Sequence, residues 1–222
     1  MLKKLILTCL VAAAMAAPSA FALSTVTLSD GPGNTGGGEF NATTSANGNF
    51  VTFCLEYSEH IQMGVQYYYQ ISTATTANND PISLATAWLY NQFLNGTLSG
   101  YDYTPDIGSE VGHRNSANAL QRAIWFLEDE VGGDGYGGST YVVDALAATA
   151  ALAAPGENGK TAAANGAYGV KVMNMWQNYD ARTGYSGAKQ DQLIRVPDGG
   201  TTLALLGMSM GFVAFASRRM RS

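Results

Sequence analysis

The chain reads as an α+β domain: an antiparallel β-sandwich or barrel carrying a helical insertion, with an N-terminal signal before it and an apolar, transmembrane-type helix after it. Three observations carry that reading. Each end holds an apolar run with basic residues beside it. The first third, and the stretch before the C-terminal tail, are rich in Val, Phe, Tyr and Thr between Gly/Asn/Ser clusters, as strands are. The middle, about 80–155, places apolar residues at helical spacing. Strands, then a run of helices, then strands again favour α+β over an alternating arrangement.

The elements follow in order. Lys3 and Lys4 precede an apolar stretch over 5–17 and then Ala20-Phe21-Ala22. A basic start, a short apolar run and a small-x-small site predict a cleavable signal over 1–22, with the mature chain starting near Leu23. Strands are expected over 25–29, 39–45, 49–57 and 65–73. Ala46-Asn47-Gly48 suits a hairpin turn, because Asn-Gly accepts the positive φ such turns need. Asp80 as N-cap, Pro81 at the first helical position and Gly96 as terminator bound a first helix. Ile82, Ala85, Trp88, Leu89 and Phe93 form its apolar stripe.

A second helix should start near Asn115 or Ser116 and stop at Gly132-Gly133. It carries Ala117, Gln121, Trp125 and Glu128 on one stripe, with Leu120, Ile124 and Leu127 beside them. Glu128, Asp129 and Glu130 fall in its last turn, where the helix dipole disfavours acids. A third, alanine-rich helix is expected over 140–154, ending at Pro155-Gly156. Strands over 169–176 and 192–196 complete a domain spanning 23–195.

The tail, 196–222, has three parts: Val196-Pro197-Asp198-Gly199-Gly200, an apolar run over 201–216, and Arg218-Arg219-Met220-Arg221. At about 1.5 Å per residue the run is ~24 Å long, marginal against a hydrocarbon core of ~30 Å. The arginines would hold the extreme C-terminus on the cytoplasmic side and leave the domain outside. Motif, short helix and basic stop in that order resemble the PEP-CTERM tails handled by exosortases, with VPDGG in place of VPEP. The resemblance implies an exosortase-like processing enzyme as partner. It also implies transient anchorage in the inner membrane through the C-terminal helix, then a cell-surface or extracellular location.

Charge and composition narrow the function classes. The net charge is −5, and without Lys3, Lys4, Asp198 and the three tail arginines the mature stretch carries −9. An acidic, glycine-rich surface argues against nucleic acid as a partner. The Gly36-Gly37-Gly38 run lies between strand-like segments and lacks the Lys-Ser/Thr of a phosphate loop. Two histidines and one mature cysteine do not make a His/Cys zinc site, and no EF-hand spacing is present. No cofactor is expected.

Cys9 lies in the signal, so Cys54 is the one cysteine of the mature chain. It cannot close an internal disulfide; the thiol is free, shared with another chain, or bonded to something other than sulfur. Taken singly, Cys54 reads as a small buried hydrophobe and Gln121 as an ordinary helix former. Taken together, Phe53-Cys54-Leu55-Glu56 and Leu120-Gln121-Arg122-Ala123-Ile124-Trp125 resemble the two halves of bacterial surface thioester domains, over roughly 40–196. The resemblance implies that the Cys54 thiolate attacks the Gln121 carboxamide, expels ammonia and leaves an internal thioester.

The role so implied is adhesion rather than enzymatic turnover: an amine or hydroxyl on an extracellular target attacks the acyl carbon and Cys54 leaves. The alternative is a non-reactive structural component of an extracellular polysaccharide matrix. Phe53, Ile124 and Trp125 are the apolar residues expected to pack round the bond and exclude water. Candidate helpers are His113, eight residues before Gln121, His60, six after Cys54, and Glu56, on the same strand face as Cys54. A Cys/His hydrolase is the weakest reading, because neither histidine comes with a recognisable orienting partner. Tyr67-Tyr68-Tyr69 and the Tyr101/Tyr103 pair suit core or rim packing better than a carbohydrate-stacking surface.

Overall fold

The computed structural model describes residues 23–34, 37–107, 111–133 and 136–196. The signal, the sorting residues Pro197, Asp198, Gly199 and Gly200, and the expected C-terminal helix lie outside these. No helix among the described residues is long and apolar enough to cross a membrane.

The architecture is mixed α/β. Six strands, β1 (Thr25–Asn34), β2 (Gly37–Thr44), β3 (Gly48–Thr52), β4 (Gln66–Ser72), β5 (Val170–Asp180) and β6 (Gly184–Arg195), form one sheet in the order β3-β2-β1-β4-β5-β6. Every neighbouring pair is antiparallel. Between β4 and β5 come three helices, α1 (Leu84–Leu94), α2 (Gly112–Leu127) and α3 (Thr140–Thr149).

The two edges of this sheet meet. Past the end of β3, Leu55 N donates to Asp191 O at 3.0 Å and Leu193 N donates to Phe53 O at 3.1 Å. Cys54 faces Gln192 between them as an isolated antiparallel bridge. Edge strands with unpaired backbone groups are costly to bury, and this seam satisfies them at one place. β5 and β6 carry apolar residues on both faces for the same reason. Val170, Val172 and Leu193 pack with the helices, and Met173, Met175 and Ile194 pack with Val26, Leu28, Tyr67 and Tyr69.

Several boundaries differ from the sequence reading. The strand expected over 49–57 stops at Thr52, because the next residues leave β2 to bridge β6. Asp80 and Pro81 do not start α1. Thr75 N donates to Asp80 O, Pro81 bridges Ala74, and Ser83 is the cap, its Oγ accepting from Thr86 N at 3.1 Å. A later serine in the same run thus supplies the side-chain acceptor that the first orphan N–H groups need. α2 begins at Gly112, which brings His113 into its first turn. α3 ends at Thr149, whose Oγ1 bonds back to Ala145 O at 2.6 Å.

The largest miss is β6, expected only from 192. Its first half, Gly-Tyr-Ser-Gly-Ala-Lys-Gln-Asp, is polar and glycine-rich and has little strand propensity of its own. Pairing with β5 makes it a strand, across a turn in which Asp180 Oδ1 accepts from Arg182 N and Thr183 N.

The acids at the end of α2 find their reason in tertiary contacts. Glu128 Oε1 accepts from Ser83 N at 3.1 Å, Glu130 Oε2 accepts from Tyr57 N at 2.9 Å, and Asp129 pairs with Lys160 at 2.6 Å. They tie α2 to the cap of α1, to the chain after Cys54 and to a later loop. Lys160 Nζ also donates to Phe126 O at 2.7 Å, which offsets the exposed negative end of the helix.

Candidate functional site

α2 lies across the seam and presents Gln121 to it. Ala117, Leu120, Gln121, Ile124 and Trp125 are all buried, as the helical stripe requires. The approach is close because of Gly37 on β2. A Cβ there would stand 2.6 Å from Trp125 Cη2 and 2.7 Å from Gln121 Cγ, so only glycine fits.

The Gln121 carboxamide is held by the backbone of Cys54 itself. Cys54 N–H donates to Gln121 Oε1 at 3.0 Å, and Gln121 Nε2 donates to Cys54 O at 2.8 Å. Both residues are buried, with 2% of Cys54 and 1% of Gln121 exposed. Such a reciprocal pair fixes the amide plane and also polarises its carbonyl, since a backbone N–H points at the oxygen that gains charge when the carbon is attacked.

On its other side the Cys54 sulfur meets Gln192, whose Nε2 lies 3.4 Å from Sγ. Burial pushes the thiol up to about 12, the Gln192 contact opposes the rise, and the nearby Glu56 charge adds to it. Glu56 is itself pushed up to about 8, by burial first and by the Asp191 carboxylate second. Its Oε2 accepts from Asp191 N at 2.8 Å. By the antiparallel register Cys54, Glu56, Gln190 and Gln192 share one face of the seam, and Gln190 Nε2 donates to Glu56 O at 2.7 Å.

Among the described residues three buried side-chain polar atoms have no hydrogen-bond partner: Glu56 Oε1, Trp125 Nε1 and Gln192 Oε1. Gln192 touches Sγ, Glu56 acts on it electrostatically, and Trp125 walls the cleft at Cys54. Unsatisfied buried groups are rare and costly, and their clustering marks a spot not arranged for stability alone.

Two clefts open on the site. One, of about 520 Å³, is lined by Cys54, Tyr57, His60, Met63, Trp125 and Gln190. The other, of about 420 Å³, is lined by Tyr57, Gln121, Arg122, Trp125, Glu130 and Tyr136. The Tyr57 and Trp125 rings, edge-on at 5.0 Å, belong to both and form the wall between them.

The residues singled out from the sequence are distributed as follows. Cys54, Gln121, Glu56 and Trp125 come together, and His60 stands in the Cys54 cleft. Phe53 and Ile124 pack behind in the core, Phe53 edge-on to Phe93 at 5.0 Å, and line neither cleft. His113 is turned away to Glu39, its Nε2 2.6 Å from Glu39 Oε1, in a separate cleft with Asp106 and Arg114. The same Glu39 oxygen accepts from the Tyr101 hydroxyl. Tyr67, Tyr69 and Tyr101 are core residues.

Sequence reasoning missed Gln192, Gln190, Tyr57, Glu130 and Gly37. The alternation Gln190-Asp191-Gln192 before Leu193-Ile194 was the available signal: amides two apart on a strand share a face. It was lost with the first half of β6.

Val196, the first sorting residue, is the last described one; its N donates to Gly169 O at 2.8 Å directly after β6. Residues 195–220 match the VPDSG-CTERM motif. Neither the curated proteins nor the solved structures contain a match to the chain. The match covers the tail, a PEP-CTERM-like sorting signal, and identifies an exported protein handled by an exosortase-type system, destined for the cell surface or the extracellular space.

Proposed function

We propose that Cys54 and Gln121 form an internal thioester and that the exported protein uses it to capture a nucleophile on a target surface, as an adhesin. The single observation that supports this is the bracketing of the Gln121 amide by the N–H and C=O of Cys54, at 3.0 and 2.8 Å. The reading takes the seamed sheet as a barrel and the three helices as its insertion.

The chemistry follows from the arrangement. Sγ attacks the Gln121 Cδ, and the charge that develops on Oε1 is held by the Cys54 N–H. Collapse breaks the C–N bond, and Nε2 leaves as ammonia carrying the thiol proton. The product is an acyl group joined to Sγ, with helix and seam covalently linked. Folding supplies the proximity that makes a weak electrophile react. The thiol sits far from its ionised form, so Gln192, a donor to Sγ, is the group that favours the thiolate, and Glu56, a carboxyl held largely protonated near neutrality, is a proton carrier beside it.

Intact mass of the exported protein tests the proposal. The thioester lowers the mass by about 17 Da, one ammonia, and methylamine abolishes the deficit. Cys54→Ala and Gln121→Ala should each show full mass. Full mass in the fresh wild type, with one titratable thiol, overturns the thioester. The second reading, an inert matrix component, has its own support in the buried, largely protonated thiol. That same full-mass result favours it.

A further inference from the structure

The two ends of the proposed bond open on different sides of the Tyr57–Trp125 wall, Cys54 into one cleft and Gln121 into the other. A nucleophile needs the acyl carbon, which belongs to Gln121, so the 420 Å³ cleft is where a target must enter. Its lining then selects the target. Among the described lining residues Arg122 and Glu130 bring one charge of each sign. Arg122 has no ion partner among the described residues, and Glu130 uses Oε2 on Tyr57 N and leaves Oε1 open.

Trp125 is shared by both clefts and offers them its ring, its Nε1–H being buried. Arg122 is a donor only and the open Glu130 Oε1 an acceptor; an ammonium group, a donor only, satisfies Glu130 and leaves Arg122 with nothing to bond. A hydroxyl both donates and accepts. Tyr57, Trp125 and Tyr136 add ring surface to this matched donor and acceptor set.

From this lining we infer that the Gln121 cleft receives a saccharide, and that the captured nucleophile is one of its hydroxyl groups. The inference rests on the thioester proposed above. The hydroxyl oxygen bonds to the Gln121 Cδ, the C–S bond breaks, and the hydroxyl proton ends on Sγ by way of Glu130 and solvent. The product is an ester between Gln121 and the sugar, with Cys54 again a thiol. An acidic protein sorted to the outside would in this way be fixed to a glycan with no need for a charged target.

The test is adduct formation by the wild-type exported protein with cellotetraose and chitotetraose, in parallel with methylamine. The expected result is an adduct of the full sugar mass, cleaved by hydroxylamine, whose rate saturates with sugar concentration while the methylamine rate rises linearly. Arg122→Ala should lower the ratio of sugar to methylamine adduct about tenfold, as loss of a charge-assisted donor predicts. A protein that shows the ammonia deficit and reacts with methylamine, yet forms no hydroxylamine-labile adduct with either sugar, overturns this inference and leaves the thioester standing. An unchanged ratio in Arg122→Ala also overturns it. Absence of the deficit overturns the thioester itself, and this inference with it.

Discussion

Two polar contacts of α2 with β-strand segments are built on opposite principles. At its first turn His113 meets Glu39, Glu39 also accepts from Tyr101, and none of the three is among the buried polar atoms left without a partner. Two turns on, Gln121 meets Cys54 through a neutral amide clamp, and round it lie three polar atoms with no partner at all. A fully paired network rigidifies the fold. An incompletely paired one at the same depth costs stability, and proteins carry such costs mainly where chemistry is done. The histidine named as a candidate helper is thus held by Glu39, away from Cys54, whereas the glutamine named as the partner of Cys54 is held by it.

Gly37 is the residue that brings α2 down on the seam. Gly37→Ala places a Cβ within 2.7 Å of both Trp125 and Gln121 at a φ of +139°. Overpacking and backbone strain together should cost about 3 kcal/mol and slow or abolish the ammonia loss. Thermal unfolding and intact mass read both effects; a variant as stable and as light as the wild type would show that the close approach is not needed.

The other contact turns on Glu39. Glu39→Ala removes the shared acceptor of His113 and Tyr101 and should cost about 2 kcal/mol. The mass deficit should persist, because no reacting atom is touched. Loss of the deficit in a folded Glu39→Ala protein would erase the distinction between the two contacts.

A smaller effect separates them by pH. The Glu56 carboxyl is held at about 8 and that of Glu128 at about 7, against an ordinary 4.5. Both bind protons more tightly folded than unfolded, so their contribution is fullest below 4.5 and is lost as the pH rises through 7 and 8. The melting temperature should fall by about 5 °C between pH 5 and pH 8.5, and Glu56→Gln should reduce the fall. A melting temperature that rises over that range would contradict the burial of these groups.

Much of this was legible in the sequence. The apolar stripe of α2 and the Phe53-Cys54-Leu55-Glu56 alternation put Gln121 and Cys54 on buried faces before any coordinates. What was not legible came from elements that exist only through their neighbours. The first half of β6 has no propensity to announce it, and so Gln190 and Gln192 had no face to be assigned to. The acids ending α2 defied the dipole rule until Ser83, Tyr57 and Lys160 appeared beside them. Asp80-Pro81 carried a sound start signal, and Ser83 did the capping because it stands next to the first turn.

The seam has a mechanical consequence. β6 runs to Arg195, the sorting tail begins at once, and only three positions lie between Gln192 and Val196. Tension on a tail held at the surface would enter β6 lengthwise at Arg195 and reach the Cys54 bridge at Gln192. The pull is then a shear along paired strands, which loads several hydrogen bonds together, and a covalent tie from Cys54 to α2 would pass part of that load into the helices. The start of the sorting tail and the Cys54 bridge thus lie on one strand.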